Sequence, residues 1–343
     1  MKLRLNIGKD SPQKEEIWKG IVRKAQQDGD YSLDAVAKRN SSVRRMQTYW
    51  ISAAAVLLLI LGGLYLFIPS ASQDKYVQGR DLESIFADSL SYSKLVLSTG
   101  DTIALDDSYE TNDIAYLQGE DKVLDFRKLD STVFRENIQF IETGRGKQVH
   151  FILSDGTKVW LNASSKIEFP ASFESDMRVV QASGEIYFEV AHDKDRPFIV
   201  KTDDQQVKVL GTHFNVKQYR NDSEKSVTLL EGAVEVSSMN AKSQPFRLTP
   251  SQQYIQIDRG TPRIKRLANP ETAIAWKEGT FYFEEADAKD IIKELERWYP
   301  VKIELKQYAQ DKKISGRIKR SDSLSKVIEM LQFFDIQILV EKD

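Results

Sequence analysis

The side chains able to do chemistry are few and scattered. His150, His192 and His213 are the three histidines. None forms an HxH or HExxH pair, so the spacing of a metal-ligand set is missing and they read as packed or surface histidines. There is no G-x-S-x-G elbow, no phosphate-binding P-loop and no G-x-G-x-x-G. Glu185 and Glu189 lie four apart in a strand-like stretch, where a period of two puts them on one face. Paired carboxylates of that kind serve glycosidases, but solvated or hydrogen-bonded strand carboxylates fit equally. Asn162-Ala163-Ser164 matches the glycosylation sequon. The chain has no cysteine, which removes disulfides, thiolate metal sites and cysteine nucleophiles. No cofactor and no metal are expected.

The elements around these residues are more informative. Residues 46–73 hold no charge, and Trp50 to Ile68 are almost purely apolar. A bilayer core about 30 Å thick needs about 20 apolar helical residues to cross it. Tyr49 and Trp50 at one end, and Tyr65 and Phe67 near the other, match interfacial aromatic belts, and Pro69 ends the helix. Lys38, Arg39, Arg44 and Arg45 precede the span, and cationic flanks stay in the cytoplasm. The pattern therefore predicts a single-pass inner-membrane protein with its N-terminus cytoplasmic and its C-terminus periplasmic. A net charge of +5 over residues 1–45 suits membrane lipid or an acidic partner. A net charge of −7 over the remainder argues against direct nucleic-acid binding there.

Five segments follow: a cytoplasmic tail (1–46), a transmembrane helix (47–69), a periplasmic linker or accessory β layer (70–140), a β domain (141–266) and a C-terminal domain (267–343). In the tail, Ser11 and Pro12 make a helix start. Ile17, Trp18, Ile21 and Val22 then recur at helical spacing. This short helical tail has an apolar stripe too small to be a core, so Ile17, Trp18, Ile21 and Val22 are expected to bind a partner.

From about residue 76 to 265, runs of Val, Ile, Phe, Tyr and Thr alternate with turn signals. Residues 94–105 and 149–161 read as hairpins, the second turning at Asp155-Gly156. Further strands are expected at 178–183, 185–191, 198–202, 206–210, 213–219, 227–230, 233–237 and 253–258, punctuated by Gly184, Gly211 and Gly232. The expected class is mainly β: an antiparallel sandwich, β-roll or β-helical stack. The C-terminal segment reads as strand 280–283, helix 286–298, strand 301–305, strand 314–318, helix 324–333 and strand 336–340. That is an α+β double βαβ domain. An open strand edge there, at Val301 and Ile303 or at Ile314 and Ile318, could take a partner's strand. Trp276 and Trp298 read as core residues.

Several blocks, in order, resemble the FecR family of membrane anti-sigma regulators in its Bacteroidota form. They are Asp155-Gly156-Thr157-Lys158-Val159-Trp160-Leu161-Asn162-Ala163, Gly184 to Ala191, Arg196 to Val200, Val209 to Val216 and Leu230 to Val234. Ala275-Trp276-Lys277-Glu278-Gly279 and the tail that follows are similar to the family's C-terminal domain, itself similar to the signalling domain of TonB-dependent transducers. The resemblance covers about residues 140 to 343. It implies a relay in which the periplasmic part senses an outer-membrane TonB-dependent transporter through that receptor's signalling domain. The tail then holds or releases an extracytoplasmic-function sigma factor and controls an uptake locus. It also implies that Val301, Ile303, Ile314 and Ile318 are where to look for the transducer. Some relatives break at a Gly-Thr bond, which Gly211-Thr212 occupies here; the plainer reading is a turn glycine followed by a strand residue. Leu248-Thr249-Pro250-Ser251-Gln252-Gln253 departs from the family's Leu-x-Pro-Gly-x-Gln by placing Ser251 at the glycine. The alternative function is a membrane-anchored periplasmic glycan-binding module or enzyme, which would show aromatics such as Tyr187 or Tyr219 exposed on one face.

Overall fold

The computed structural model of the protein describes residues 92–97, 100–105, 123–128, 138–173, 176–239, 244–257, 260–309 and 311–342. The expected membrane span and the tail residues Ile17, Trp18, Ile21 and Val22 lie outside the described residues. Among the described residues no helix is long and apolar enough to cross a membrane.

Two sheets face one apolar interior. The first runs in the order β2 (Thr102–Ala104), β1 (Lys94–Leu97), β4 (Ile138–Glu142), β7 (Lys166–Glu168), β8 (Arg178–Glu189), β9 (Phe198–Lys201), β10 (Gln205–Val209), β13 (Val234–Ser238) and β14 (Phe246–Leu248). The second runs β3 (Leu124–Asp125), β5 (Val149–Ile152), β6 (Lys158–Leu161), β8 again, β11 (His213–Gln218), β12 (Glu224–Glu231), β15 (Gln252–Ile257) and β16 (Arg263–Arg266). Strand β8 belongs to both. Arg178–Ser183 pair with β7 and β9, and Gly184–Glu189 pair with β6 and β11.

The corner in β8 is Gly184, at φ +91°. A Cβ there would stand 2.4 Å from Ser165 Oγ and 2.6 Å from its Cα. Only glycine accepts both that backbone angle and that approach. The sequence expectation of two strands broken at Gly184 is thus corrected to one strand that changes sheets.

Alternation along each strand fills the interior. Ile141, Val180, Phe198, Val200, Val207 and Val236 come from the first sheet; Phe151, Val159, Ile186, Phe188, Phe214 and Val227 come from the second. Phe188 stacks on Phe214 at 5.1 Å between centroids and lies 5.9 Å from Phe198 across the gap. Burying each such side chain contributes about 1.5–3 kcal/mol. The architecture is a sandwich, not a β-helical stack. It is also not wholly antiparallel, because β8–β9 and β3–β5 are parallel.

The 3-10 stretch Pro270–Glu278 leaves the sandwich. Asn269 caps it by accepting from the Glu271 N–H, Pro270 sits at its first turn, and Gly279 closes it at φ +67°. The C-terminal unit then folds as β17 (Thr280–Ala286), α1 (Ala288–Trp298), β18 (Val301–Gln307), β19 (Ile314–Lys319), α2 (Leu324–Phe333) and β20 (Gln337–Lys342). Helix α1 buries Ile291, Ile292 and Leu295, and α2 buries Leu324, Val327 and Leu331, against the strands. The element order is the expected one, but the pairing is not that of βαβ units. Strand β17 pairs with β19 and β18 with β20, both antiparallel. Each half lends its strands to the other half, so neither can close its own sheet.

Candidate functional site

The residues singled out for catalysis go to separate places. His150 stacks on Trp160 at 4.1 Å, His192 lies against Gly211, and His213 pairs with Glu231 at 3.2 Å on the surface. Glu189 meets Lys158 at 3.4 Å and the Tyr187 hydroxyl at 3.4 Å, whereas Glu185 faces other partners, so the two carboxylates do not work on one point. Gly211 occupies the bend between β10 and β11, and the buried Thr212 hydroxyl donates to Ala233 O at 3.0 Å. Tyr187 and Tyr219 are 4 % and 5 % exposed, so neither offers a ring to a sugar.

What the fold does assemble is a charged seam where the C-terminal unit meets the second sheet of the sandwich. Glu185 on β8 and Lys217 on β11 are cross-strand neighbours. Glu185 is buried and accepts from Asn162 Nδ2 at 2.8 Å and Asn215 Nδ2 at 3.0 Å. Asn162 follows β6, and its own Oδ1 accepts from Arg320 Nη1 at 2.7 Å and from the Ala163 N–H at 2.9 Å. The sequon asparagine is therefore a buried structural residue, which removes it as a glycan acceptor. Lys217 bonds Glu294 of α1. One turn on, Arg297 lies 3.7 Å over the Tyr219 ring, pairs with Asp222 and donates to Asn221 Oδ1 at 3.1 Å.

Arg320, immediately after β19, lies against two rings that meet edge to face, 4.6 Å from Trp298 and 4.8 Å from Phe281. Trp298 Nε1 donates back to Arg320 O at 2.9 Å. A cavity of about 10 Å³ remains between Asn162, Ala163, Tyr219, Glu294, Arg297, Trp298 and Arg320. That is room for about one water. Backbone bonds cross as well: Gly146 N donates to Arg297 O at 2.9 Å, and Gln148 Nε2 donates to Trp276 O at 3.1 Å.

Three carboxylates (Glu185, Asp222, Glu294) face three cations (Lys217, Arg297, Arg320), with Lys293 a fourth at 4.0 Å from Asp222. Burial, reinforced by the nearby Glu294 charge, pushes the Glu185 carboxyl above its ordinary range against the opposing pull of Lys217 and of the Asn162 and Asn215 amides. Burial acts on Glu294 in the same sense, yet Lys217, Arg320 and Arg297 together hold it below that range. Burial also opposes the charge on Lys217, but Glu294 and Glu185 keep it firmly protonated.

A second contact lies beside the seam. Ile274 and Trp276 of the 3-10 stretch pack with Tyr187, Trp160 and Leu230 on the outer face of the second sheet. Lys277 Nζ lies 5.1 Å over the Trp160 ring. Trp276 is core, as expected, while Trp298 is a partly buried seam residue.

The four partner candidates of the C-terminal unit are interior. Val301, Ile303, Ile314 and Ile318 are each at most 7 % exposed. What β18 and β19 can present is backbone, since each has one strand neighbour among the described residues. Sequence reasoning passed over Lys217, Asp222, Glu294, Arg297 and Arg320. The available signal was weak: Glu294 and Arg297 flank the apolar stripe of α1 like ordinary surface charges.

The FecR protein family model matches residues 139–235, and the FecR C-terminal family model matches residues 280–342. The seam joins the two matched segments. Two crystal structures of a candidate anti-sigma factor from Parabacteroides distasonis ATCC 8503 are similar to the chain. One has 32 % identity and a TM-score of 0.53, covering 60 % of this chain and 99 % of that one. The other has 31 % identity and a TM-score of 0.51, covering 60 % and 98 %. No curated protein matches.

Proposed function

The chain belongs to the FecR family, and from that premise we propose that it is an anti-sigma factor working as a single-pass relay across the inner membrane. The observation that carries the reading is the seam. A C-terminal unit whose sheets keep open edges among the described residues is locked to the sandwich by partly buried ion pairs and by Arg320, so a partner that docks on the unit acts on the whole described body.

In this reading the outer partner is the signalling domain of a TonB-dependent outer-membrane transporter, added at a strand edge of the C-terminal unit. The inner partner is an extracytoplasmic-function sigma factor, gripped by the apolar helix face of Ile17, Trp18, Ile21 and Val22. The uncharged span at 47–69 connects them, and membrane lipid is its solvent. The chain acts as a binding protein, not an enzyme, and its output is transcription of a nutrient-uptake locus. The anchored glycan-binding alternative draws no support from Tyr187 and Tyr219, which are buried.

The test is transcription of the linked operon in cells carrying Trp18→Ala with Ile21→Ala. Derepression to the level of a strain lacking the chain is expected. Transcription unchanged from wild type, with the variant present at normal abundance, would refute the anti-sigma reading.

A further inference from the structure

Resting on the reading above, in which the C-terminal unit meets a protein partner, we propose that the outer edge of β19 is the docking edge and that it receives an acidic extended segment as an added strand. Strand β19 has β17 on one side and, among the described residues, no strand on the other. Ser315, Gly316, Arg317 and Lys319 along it are exposed. A Cβ on Gly316 would meet nothing within 4 Å, so the face of the strand at its middle is uncovered and a side chain of an added strand meets no obstacle there.

Charge separates this edge from the others. Residues 312–320 carry Lys312, Lys313, Arg317, Lys319 and Arg320 and no acid. Three of these are committed: Lys312 to Asp335, Lys313 to Asp287 and Arg320 to the seam. Arg317 stacks 5.1 Å over Tyr282, and Lys319 contributes to the field at Asp322, whose carboxylate is bonded to Lys326. Neither Arg317 nor Lys319 makes an ion pair among the described residues. Strand β18 instead exposes Lys302, Glu304 and Lys306, and Glu304 neutralises Lys306 at 2.7 Å. Strand β17 exposes Glu284 and Glu285, and β20 exposes the neutral Gln337. Within the unit, β19 combines an open backbone with cations that no carboxylate has taken.

The same charges say what does not dock there. Two copies of this chain pairing edge to edge would bring cation against cation, the usual defence of a sheet edge against self-association. A strand with Glu or Asp at every second position converts that repulsion into attraction, while main-chain hydrogen bonds supply sequence-independent affinity. Position adds a consequence. Lys319 is followed by Arg320, which bonds Asn162 in the sandwich. A strand added along β19 therefore ends where the seam begins.

The experiment uses the full chain in lipid nanodiscs. The probes are a short peptide alternating Glu and Val, its Gln/Val counterpart and a Lys/Val counterpart. Binding of the Glu peptide, weakened by salt, is expected, with hydrogen-exchange protection rising over 314–319. Arg317→Glu with Lys319→Glu is expected to lose the Glu peptide by about tenfold or more. The same variant is expected to gain the Lys peptide, which also shows that it is folded. Equal binding of the Gln and Glu peptides, retained Glu-peptide binding by the variant, or protection at 301–307 in place of 314–319 would overturn the assignment.

Signal-dependent transcription separates this inference from the reading it rests on. A wild-type response from the charge-reversed variant overturns the β19 edge alone. A normal response after deletion of 267–343 overturns the relay and the edge together.

Discussion

The interior of the sandwich is sealed and the seam beside it is largely buried, yet they are built from opposite chemistry. Between the sheets, Phe151, Phe188, Phe198 and Phe214 are sealed among aliphatic side chains. Apolar burial is strong and non-directional, so it stabilises the fold without insisting on one alignment. At the seam, Glu185, Asp222 and Glu294 meet Lys217, Arg297 and Arg320. Such charges recover in attraction little more than they lose in hydration, but they match in only one arrangement. The sandwich interior therefore supplies stability, and the seam fixes where the C-terminal unit sits. The proposed relay would need that division, because a joint that transmits a push must hold its geometry without being the strongest contact in the molecule.

Substitutions on the two sides should diverge accordingly. Phe188→Ala is expected to cost about 3–5 kcal/mol in urea denaturation, the range for emptying an aromatic core site. Lys217→Met should cost less, about 2–4 kcal/mol, since 28 % of that side chain is exposed. The seam also predicts an asymmetry. Removing Lys217 takes from Glu294 its hydrogen-bonded cation and from Glu185 its cross-strand one, leaving Glu294 to the fields of Arg320 and Arg297, whereas Glu294→Leu leaves Lys217 a second carboxylate in Glu185. Glu294→Leu should therefore be the milder of the two. Equal costs would mean that Lys217 and Glu294 are an isolated pair and that the seam is not a network; the reverse order would make Glu294, which Arg320 and Arg297 also hold, the hub in place of Lys217.

The patch beside the seam gives a smaller, pH-dependent effect. Burial first, and then the field of Lys158, pushes His150 down from 6.5 to about 4. Between those values the unfolded chain binds a proton that the folded chain refuses. His150 therefore contributes stability that is present above pH 6.5 and lost as pH falls toward 4. Phe in its place keeps the ring stacked on Trp160 and cannot titrate. Melting temperature measured from pH 7 to 4 should fall less steeply in His150→Phe than in wild type. Parallel curves would show that the stacked imidazole is already free to take its proton.

Much of the sandwich was legible because strand burial alternates, and Val149–Ile152 or Lys158–Leu161 display that period directly. The short strands β3, β7 and β14 were not, since two or three residues cannot establish a period, and β16 was not, because all four of its residues are exposed. Gly184 was visible as punctuation, but a stop and a corner look alike in sequence; the approach of Ser165 decides between them. In the C-terminal unit every helix and strand was readable, but the exchange of strands between halves was not, because local pattern carries no pairing information. The seam was the least legible. Lys217 lies 77 residues from Glu294, and Asn162 lies 158 from Arg320. Nothing local marks either charge as buried. The family resemblance found the blocks that build the seam without revealing that they meet.

One departure from the family pattern was legible as an oddity, and the structure explains it. Thr249, Pro250, Ser251 and Gln252 form a turn closed by Gln252 N donating to Thr249 O at 3.1 Å, with Ser251 at φ +67°. Proline at the second position and a positive φ at the third describe a type II turn, which favours glycine there. A side chain in that region costs about 1–2 kcal/mol, and glycine gives part of this back through the greater freedom of its unfolded chain. Both backbone bonds of Ser251, its N–H to Leu229 O and its carbonyl from Leu267 N, survive the change. Ser251→Gly should therefore stabilise the protein by about 0.5–1 kcal/mol. It should do so without altering the seam, since this turn joins β14 to β15 at the other end of the second sheet's strand order from β6. If denaturation midpoints fell instead, the serine hydroxyl would be contributing a contact that outweighs the strain of its backbone.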